Sequence, residues 1–219
     1  YYVMALGTGL SVNPVYDELV SRYEKKKLSF RNVVVFNAYE YYPLRKDSSI
    51  RSINQLKEHF LDHVDIAEQN IFTLDGNIAQ EAVQDTCRLY EQRIKTFGGL
   101  DVTILGIGRM GNIAANEPGS SIQSLTRIIL IGNMSREEME NSFKTKEQVP
   151  PCSLTMGVGT LLTAKTVFLT AWGDEKSEIM QKVIEGNITD TLPATFLQTH
   201  PNAQVVLDLS AAAHLTRIE

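Results

Sequence analysis

The 219-residue chain has no basic cluster longer than Lys25-Lys26-Lys27 and a net charge of −5. That excludes the concentrated positive surface on which nucleic-acid binding rests, though local positive charge can still serve a phosphorylated metabolite. Only two cysteines occur, Cys87 and Cys152, far apart and without a C-x-x-C spacing. They build no disulfide scaffold, and Cys87, on the apolar stripe of a predicted helix, reads as a reduced core thiol. No apolar run approaches the length of a membrane span, so no membrane partner is expected. The four histidines lack metal spacing: His59 and His63 lie four apart on a helix with no third ligand, and read as a surface pair. No metal and no cofactor is therefore expected. Nothing repeats internally and no segment is low in complexity. The chain opens on an apolar strand without a start methionine or a visible signal peptide. The expectation is a trimmed portion of a longer chain in the cytoplasm.

What remains is ordinary globular material, 43% hydrophobic and 21% charged, enough for one α/β domain over residues 1–219. Strand and helix signals alternate. Tyr1–Leu6 is apolar and ends at Gly7-Thr8-Gly9; Asn13-Pro14 supplies an N-cap and a first-turn proline for a helix through Tyr23. Val33–Phe36 is β-branched, and Ile53, Leu56, Phe60 and Leu61 mark a second amphipathic helix. Ala79, Val83, Cys87, Tyr90, Ile94 and Phe97 predict a helix over about 77–97, closed by Gly98-Gly99. Strands are expected at Val102–Ile107, near Arg127–Ile131, at Thr166–Ala171 and at Gln204–Leu207, with a helix over Lys176–Glu185. The polar Glu137–Pro151 stretch is read as a loop, either a lid or a plain surface connection. The fold class is a Rossmann-like, doubly wound, largely parallel sheet with helices on both faces.

Four segments at strand ends carry the chemistry. Gly7-Thr8-Gly9-Leu10-Ser11 precedes a helix, where free N–H groups and the helix dipole favour an anion. Phe36-Asn37-Ala38-Tyr39-Glu40-Tyr41 follows the second strand. Gly106 to Ser121, containing Gly108-Arg109-Met110-Gly111-Asn112 and Asn116-Glu117-Pro118, follows the third. Gly157-Val158-Gly159-Thr160 and Trp172-Gly173-Asp174-Glu175-Lys176 complete the set.

In this order and spacing the segments resemble the glucosamine-6-phosphate deaminase/isomerase family, within the sugar-phosphate isomerase/6-phosphogluconolactonase superfamily, over nearly the whole chain. The resemblance implies phosphate binding by Thr8, Gly9, Ser11, Gly108 and Lys176, and an allosteric arginine at Arg127. The family reaction it implies is aldose–ketose isomerisation of an amino-sugar phosphate with release of ammonia. Its active-site loop usually reads G-x-G-x-D-G-H-I-A-F-N-E-P; here Met110 stands at the aspartate and Asn112 at the ring-opening histidine. Tyr39 stands at the aspartate base of the family's F-N-M-D-E-Y. A phenol is a poor base at neutral pH, and a carboxamide cannot shuttle a proton. Each lost general acid or base is worth about 10²–10⁴-fold in rate.

Candidate catalytic residues are therefore Glu117, Tyr39, Asn112 and Glu40, with Glu40 expected to face away from Tyr39 on an extended chain and Tyr39 to close the pocket by stacking. Tyr39 to Leu44 and Gly108 to Ala114 also resemble a Bacteroidetes subgroup in which such a domain is joined to a deacetylase-like one. That implies a fused domain, a homo-oligomer and a small-molecule sugar phosphate as partner. Three readings stay open: a sugar-phosphate-binding domain with the standard chemistry lost, an active deaminase or isomerase that recruits Glu117, Glu40 or Tyr39, and a structural or oligomerisation module with a vestigial pocket.

Overall fold

A computed structural model describes residues 1–142 and 148–216. Its centre is a six-stranded, wholly parallel sheet of β1 (Tyr2–Leu6), β2 (Val33–Asn37), β4 (Ile71–Phe72), β5 (Val102–Gly106), β8 (Thr166–Ala171) and β9 (Ala203–Leu207), in the order β4-β2-β1-β5-β8-β9. Because side chains alternate along a strand, each strand feeds two cores. Val3 and Ala5 of β1, with Val34 and Phe36 of β2, pack on the face covered by α3 (Val83–Thr96) and α6 (Ser177–Glu185). Met4, Leu6, Val33 and Val35 pack on the opposite face, under α1 (Asn13–Glu24) and α2 (Ser52–His59). Strands buried on both sides explain why β1 and β2 read as continuous apolar runs rather than as alternating ones.

A second, antiparallel sheet of β3 (Tyr39–Tyr42), β7 (Cys152–Thr155) and β6 (Arg127–Leu130) stands beside the first. Asn37 makes the transfer between sheets. Its Nδ2 donates to Tyr39 O (2.9 Å) and Ser52 Oγ (3.0 Å), and its Oδ1 accepts from Leu74 N (2.8 Å) and the Tyr90 hydroxyl (3.0 Å). A buried carboxamide with every partner supplied fixes the direction in which the chain leaves β2.

Several sequence expectations change. Asn13 does not cap α1: the cap position is Val12, no side chain closes the helix end, and Asn13 Nδ2 lies 3.2 Å from His59 Nε2. The strand near Arg127 belongs to the antiparallel sheet, not the parallel one. Residues at the start of the expected Glu137–Pro151 loop are helical, in α4 (Asn133–Ser142), while 143–147 lie outside the described residues. An Arg136–Glu140 pair at helical spacing (4.0 Å) and the burial of Ser135 hold that helix, which carries no apolar stripe in sequence. Cys87 is a free, buried thiol whose pKa burial pushes up to about 11, with Glu91 adding to the shift, so it stays protonated and inert. Among the described residues, no helix is long and apolar enough to cross a membrane.

Candidate active site

Strand order reverses beside β1: β2 lies on one side and β5 on the other. In such sheets the crevice beyond the carboxyl ends at that reversal is where ligands sit. The loops leaving β1 (Gly7 to Ser11) and β5 (Gly106 to Asn112) line one cavity of about 680 Å³ there. The first loop is held from behind: Ser11 O accepts from Thr170 Oγ1 (2.7 Å) and from Trp172 Nε1 (2.6 Å). Gly9 takes φ +114°, a conformation other residues avoid, with open space where a side chain would stand. Among the described residues the amides of Thr8, Gly9, Leu10 and Ser11 have no backbone hydrogen-bond partner, so they remain available to an anion.

Tyr39 and Tyr41 form the wall contributed by β3. Their rings meet edge to face at 5.7 Å, and the Tyr39 hydroxyl lies 2.7 Å from Thr8 Oγ1. Burial pushes the Tyr39 phenol up, against hydrogen bonds to Thr8 and Tyr41 that pull it down, and so keeps it protonated. Glu40, between them on an extended strand, points to the other side. Its Oε1 accepts from Ser52 N (2.9 Å) and Tyr41 N (3.0 Å), Arg51 approaches Oε2 to 3.8 Å, and the carboxyl is wholly buried away from the cavity. Burial raises its pKa.

Asn112 lines the cavity and is buried, with Oδ1 lacking a hydrogen-bond partner. Its carboxamide lies flat on Gly108, where a Cβ would stand 2.0 Å from Oδ1, so the glycine is required by this packing. Glu117 lies outside the cavity wall, beside Gly132 and Ser135. Burial raises its pKa, Ser135 and the Gly132 amide oppose that, and the Glu138 charge adds to it. Its Oε1 and the Ser135 Oγ stay outside hydrogen-bond geometry of any partner. Met110 also lies off the cavity wall. Asn116 is a hinge pin of this loop, with Nδ2 donating to Ile113 O (3.1 Å) and Met156 O (2.8 Å). Arg127, expected as an effector ligand, is committed to the same turn: Nη1 donates to Asn116 Oδ1 and Nη2 to Ser120 Oγ, both at 2.9 Å, and burial lowers its pKa.

Lys176 closes the third side. Its side chain is only 9% exposed, and Nζ donates to Ile107 O (3.0 Å) and to Glu138 Oε1 (2.8 Å). A buried ammonium at the start of a helix is opposed by the helix dipole and needs such partners. The Gly157-Val158-Gly159-Thr160 motif is not part of the cavity. A Cβ at Gly157 would stand 2.1 Å from Ser124 O, so its glycines serve a close crossing of two backbones. Sequence reasoning did not find Glu138, Asp208 or Gln55 as cavity residues. Glu138 was discoverable only through the Arg136–Glu140 helical spacing; the others carried no signal.

Comparison with known proteins agrees with this architecture. Residues 2–207 match the family model for glucosamine-6-phosphate isomerases/6-phosphogluconolactonase. A glucosamine-6-phosphate deaminase-like protein of Bacteroides thetaiotaomicron is 55% identical over the whole chain, which spans 33% of that protein's length. The glucosamine-6-phosphate deaminase of Mycolicibacterium smegmatis is 40% identical over 99% of this chain and 83% of its own. The solved structure of a monomeric glucosamine-6-phosphate deaminase superposes with a TM-score of 0.91 at 33% identity, over 97% of this chain and 87% of the other. The chain belongs to the glucosamine-6-phosphate isomerase/6-phosphogluconolactonase family.

Proposed function

We propose that the cavity binds a hexosamine 6-phosphate and that the isomerisation and deamination typical of such proteins are weak or lost. The observation that carries this reading is the convergence of three anion-binding elements on one space: the open amides of Thr8 to Ser11, the Gly108-Arg109 turn, and the Lys176 ammonium. A phosphomonoester is the ligand that uses backbone N–H groups and a lysine together. Sugar hydroxyls would then face Tyr39, Tyr41 and the unpaired Asn112 Oδ1.

The alternative of an active enzyme that recruits Glu117, Glu40 or Tyr39 needs one of the three as a proton acceptor at the cavity wall. Glu40 and Glu117 lie off that wall, and Tyr39 is held protonated by burial. This favours binding over turnover. Our reading extends to a cytoplasmic setting, a homo-oligomeric state and a joined deacetylase-like domain; the Bacteroides relative, of which the chain spans 33%, is long enough to hold a further domain.

Calorimetry and thermal melts with glucosamine 6-phosphate test the reading. Saturable binding and a raised Tm are expected, and both should vanish in Lys176→Ala. No binding at millimolar ligand overturns it. An ammonia-release assay on the full-length protein separates the two chemistries: turnover abolished by Glu117→Gln would establish the enzyme instead.

A further inference from the structure

Two hydrogen-bond donors and the edge of a guanidinium on the cavity wall converge on a side chain from outside the strand-end loops. Glu138, on α4, accepts from Lys176 Nζ through Oε1 (2.8 Å) and from the Arg109 backbone amide through Oε2 (2.9 Å). The Arg109 Nε lies 4.0 Å from Oε1. One carboxylate thereby takes the buried ammonium, a loop amide and the edge of a guanidinium, which is the donor set that an oxyanion of a phosphate would take. Among the described residues Lys176 makes no other ion pair; its remaining bond is to the neutral Ile107 carbonyl.

We propose that Glu138 is an internal anion that fills the phosphate position, so that a phosphorylated ligand binds only by displacing it. This rests on the hexosamine-phosphate reading above and adds to it a specificity determinant. The argument is electrostatic and steric. A dianionic phosphate on the Lys176 Nζ would stand beside the carboxylate that already lies 2.8 Å from it, and like charges so placed repel in a partly dry site. Expelling the carboxylate is feasible because Glu138 is 27% exposed and sits on a surface helix, so it can re-enter water at little desolvation cost. Lys176, at 9%, has no such route and keeps its charge in the cavity.

The consequence is a ligand that competes with the protein itself. A free hexosamine carries no anion and so cannot replace the carboxylate on Lys176. Only a ligand bearing its own anion regenerates the lost pairing, so Glu138 makes the cavity selective for phosphorylated over free hexosamine. The apparent affinity for the phosphate is the intrinsic affinity multiplied by the fraction of molecules in which the site is not self-occupied.

Inorganic phosphate, glucosamine 6-phosphate and unphosphorylated glucosamine, titrated calorimetrically into wild type, Glu138→Gln and Glu137→Gln, test this. Glu137 is exposed and off the cavity wall, and its variant matches the change in net charge. If self-occupation holds about nine-tenths of the molecules, Glu138→Gln should bind both phosphates about ten-fold more tightly, with Glu137→Gln unchanged. Phosphate binding seen only in Glu138→Gln supports the proposal as well. Binding by wild type that is equal or weaker in Glu138→Gln overturns it and leaves the ligand reading intact. Absence of binding in both overturns the two together. Hydrogen exchange on the wild type gives a readout independent of any variant: amides of Asn133 to Asn141 should exchange faster with glucosamine 6-phosphate bound, and slower exchange there would overturn displacement.

Discussion

The hydroxyls of Tyr39 and Thr8 lie 2.7 Å apart, joining the small antiparallel sheet to the anion loop at the end of β1. Two strands that do not pair are linked through this contact. The buried Tyr39 phenol thus acts as a brace.

Replacing Tyr39 by Phe removes the brace and keeps the ring contact with Tyr41. A neutral hydrogen bond of this kind contributes about 0.5–1.5 kcal/mol, so Tm should fall by roughly 1–6 °C in a domain of this size. The pH profile of ligand binding between about pH 6 and pH 9 should not change, because burial already holds the phenol protonated. A profile altered in Tyr39→Phe would mean that the phenol titrates in function.

Gly108→Ala tests the packing of Asn112. The new methyl would meet Oδ1 at 2.0 Å, and the carboxamide must swing away from the cavity wall. Overpacking of this sort costs about 1–3 kcal/mol. Loss of the glucosamine 6-phosphate melting shift should accompany the lower Tm; retention of the full shift would show that Asn112 does not touch the sugar.

Glu117 gives a pH signature of opposite sign to an ordinary salt bridge. Its pKa is raised by burial, so the folded state binds its proton more tightly than the unfolded chain does. The associated stability is fully present below the normal carboxylate range and is lost as pH rises through the raised value. Glu117→Gln should therefore gain on wild type in Tm as pH increases from about 4 to 8. Melts of the two proteins across that range check it, and a Gln variant that loses ground with rising pH would show that the ionised carboxylate is favourably paired.

Tyr90 anchors the Asn37 junction: its hydroxyl lies 2.9 Å from Asn37 O, 3.0 Å from Asn37 Oδ1 and 3.1 Å from Phe72 O, in full burial. Tyr90→Phe leaves those acceptors short of a donor, at about 1–2 kcal/mol, and should lower Tm by roughly 2–8 °C. Ligand affinity should be unaffected, since Tyr90 is off the cavity wall; a changed Kd would connect the junction to the site.

Legibility differed between elements for identifiable reasons. β8 was read with its limits intact, at Thr166–Ala171, because β-branched and apolar residues fill it and polar residues bound it. α3 was read from a stripe of Val83, Cys87, Tyr90 and Ile94, all buried. β3 was missed as a strand since Tyr-Glu-Tyr-Tyr buries every residue, a charged one included, and so lacks the alternation of a half-exposed strand. β7 falls between the polar stretch that ends at Pro151 and the motif that begins at Gly157, where no element was expected, and it pairs with β3 and β6. At the site, the loops of β1 and β5 were legible as glycine punctuation, whereas Glu138 was not, because it reaches Lys176 across 38 residues of sequence.

By itself the sequence determined the alternation of strand and helix, and hence a parallel sheet with covered faces, because periodicity and punctuation are local properties of the chain. It also determined which polar groups stood at the strand ends. Only the tertiary structure decided which of them share a cavity. Glu117 was set behind the loop, and Glu138 was brought onto Lys176 by the docking of α4. Such choices follow from how separate elements pack, and long-range packing leaves no mark in the spacing of neighbouring residues.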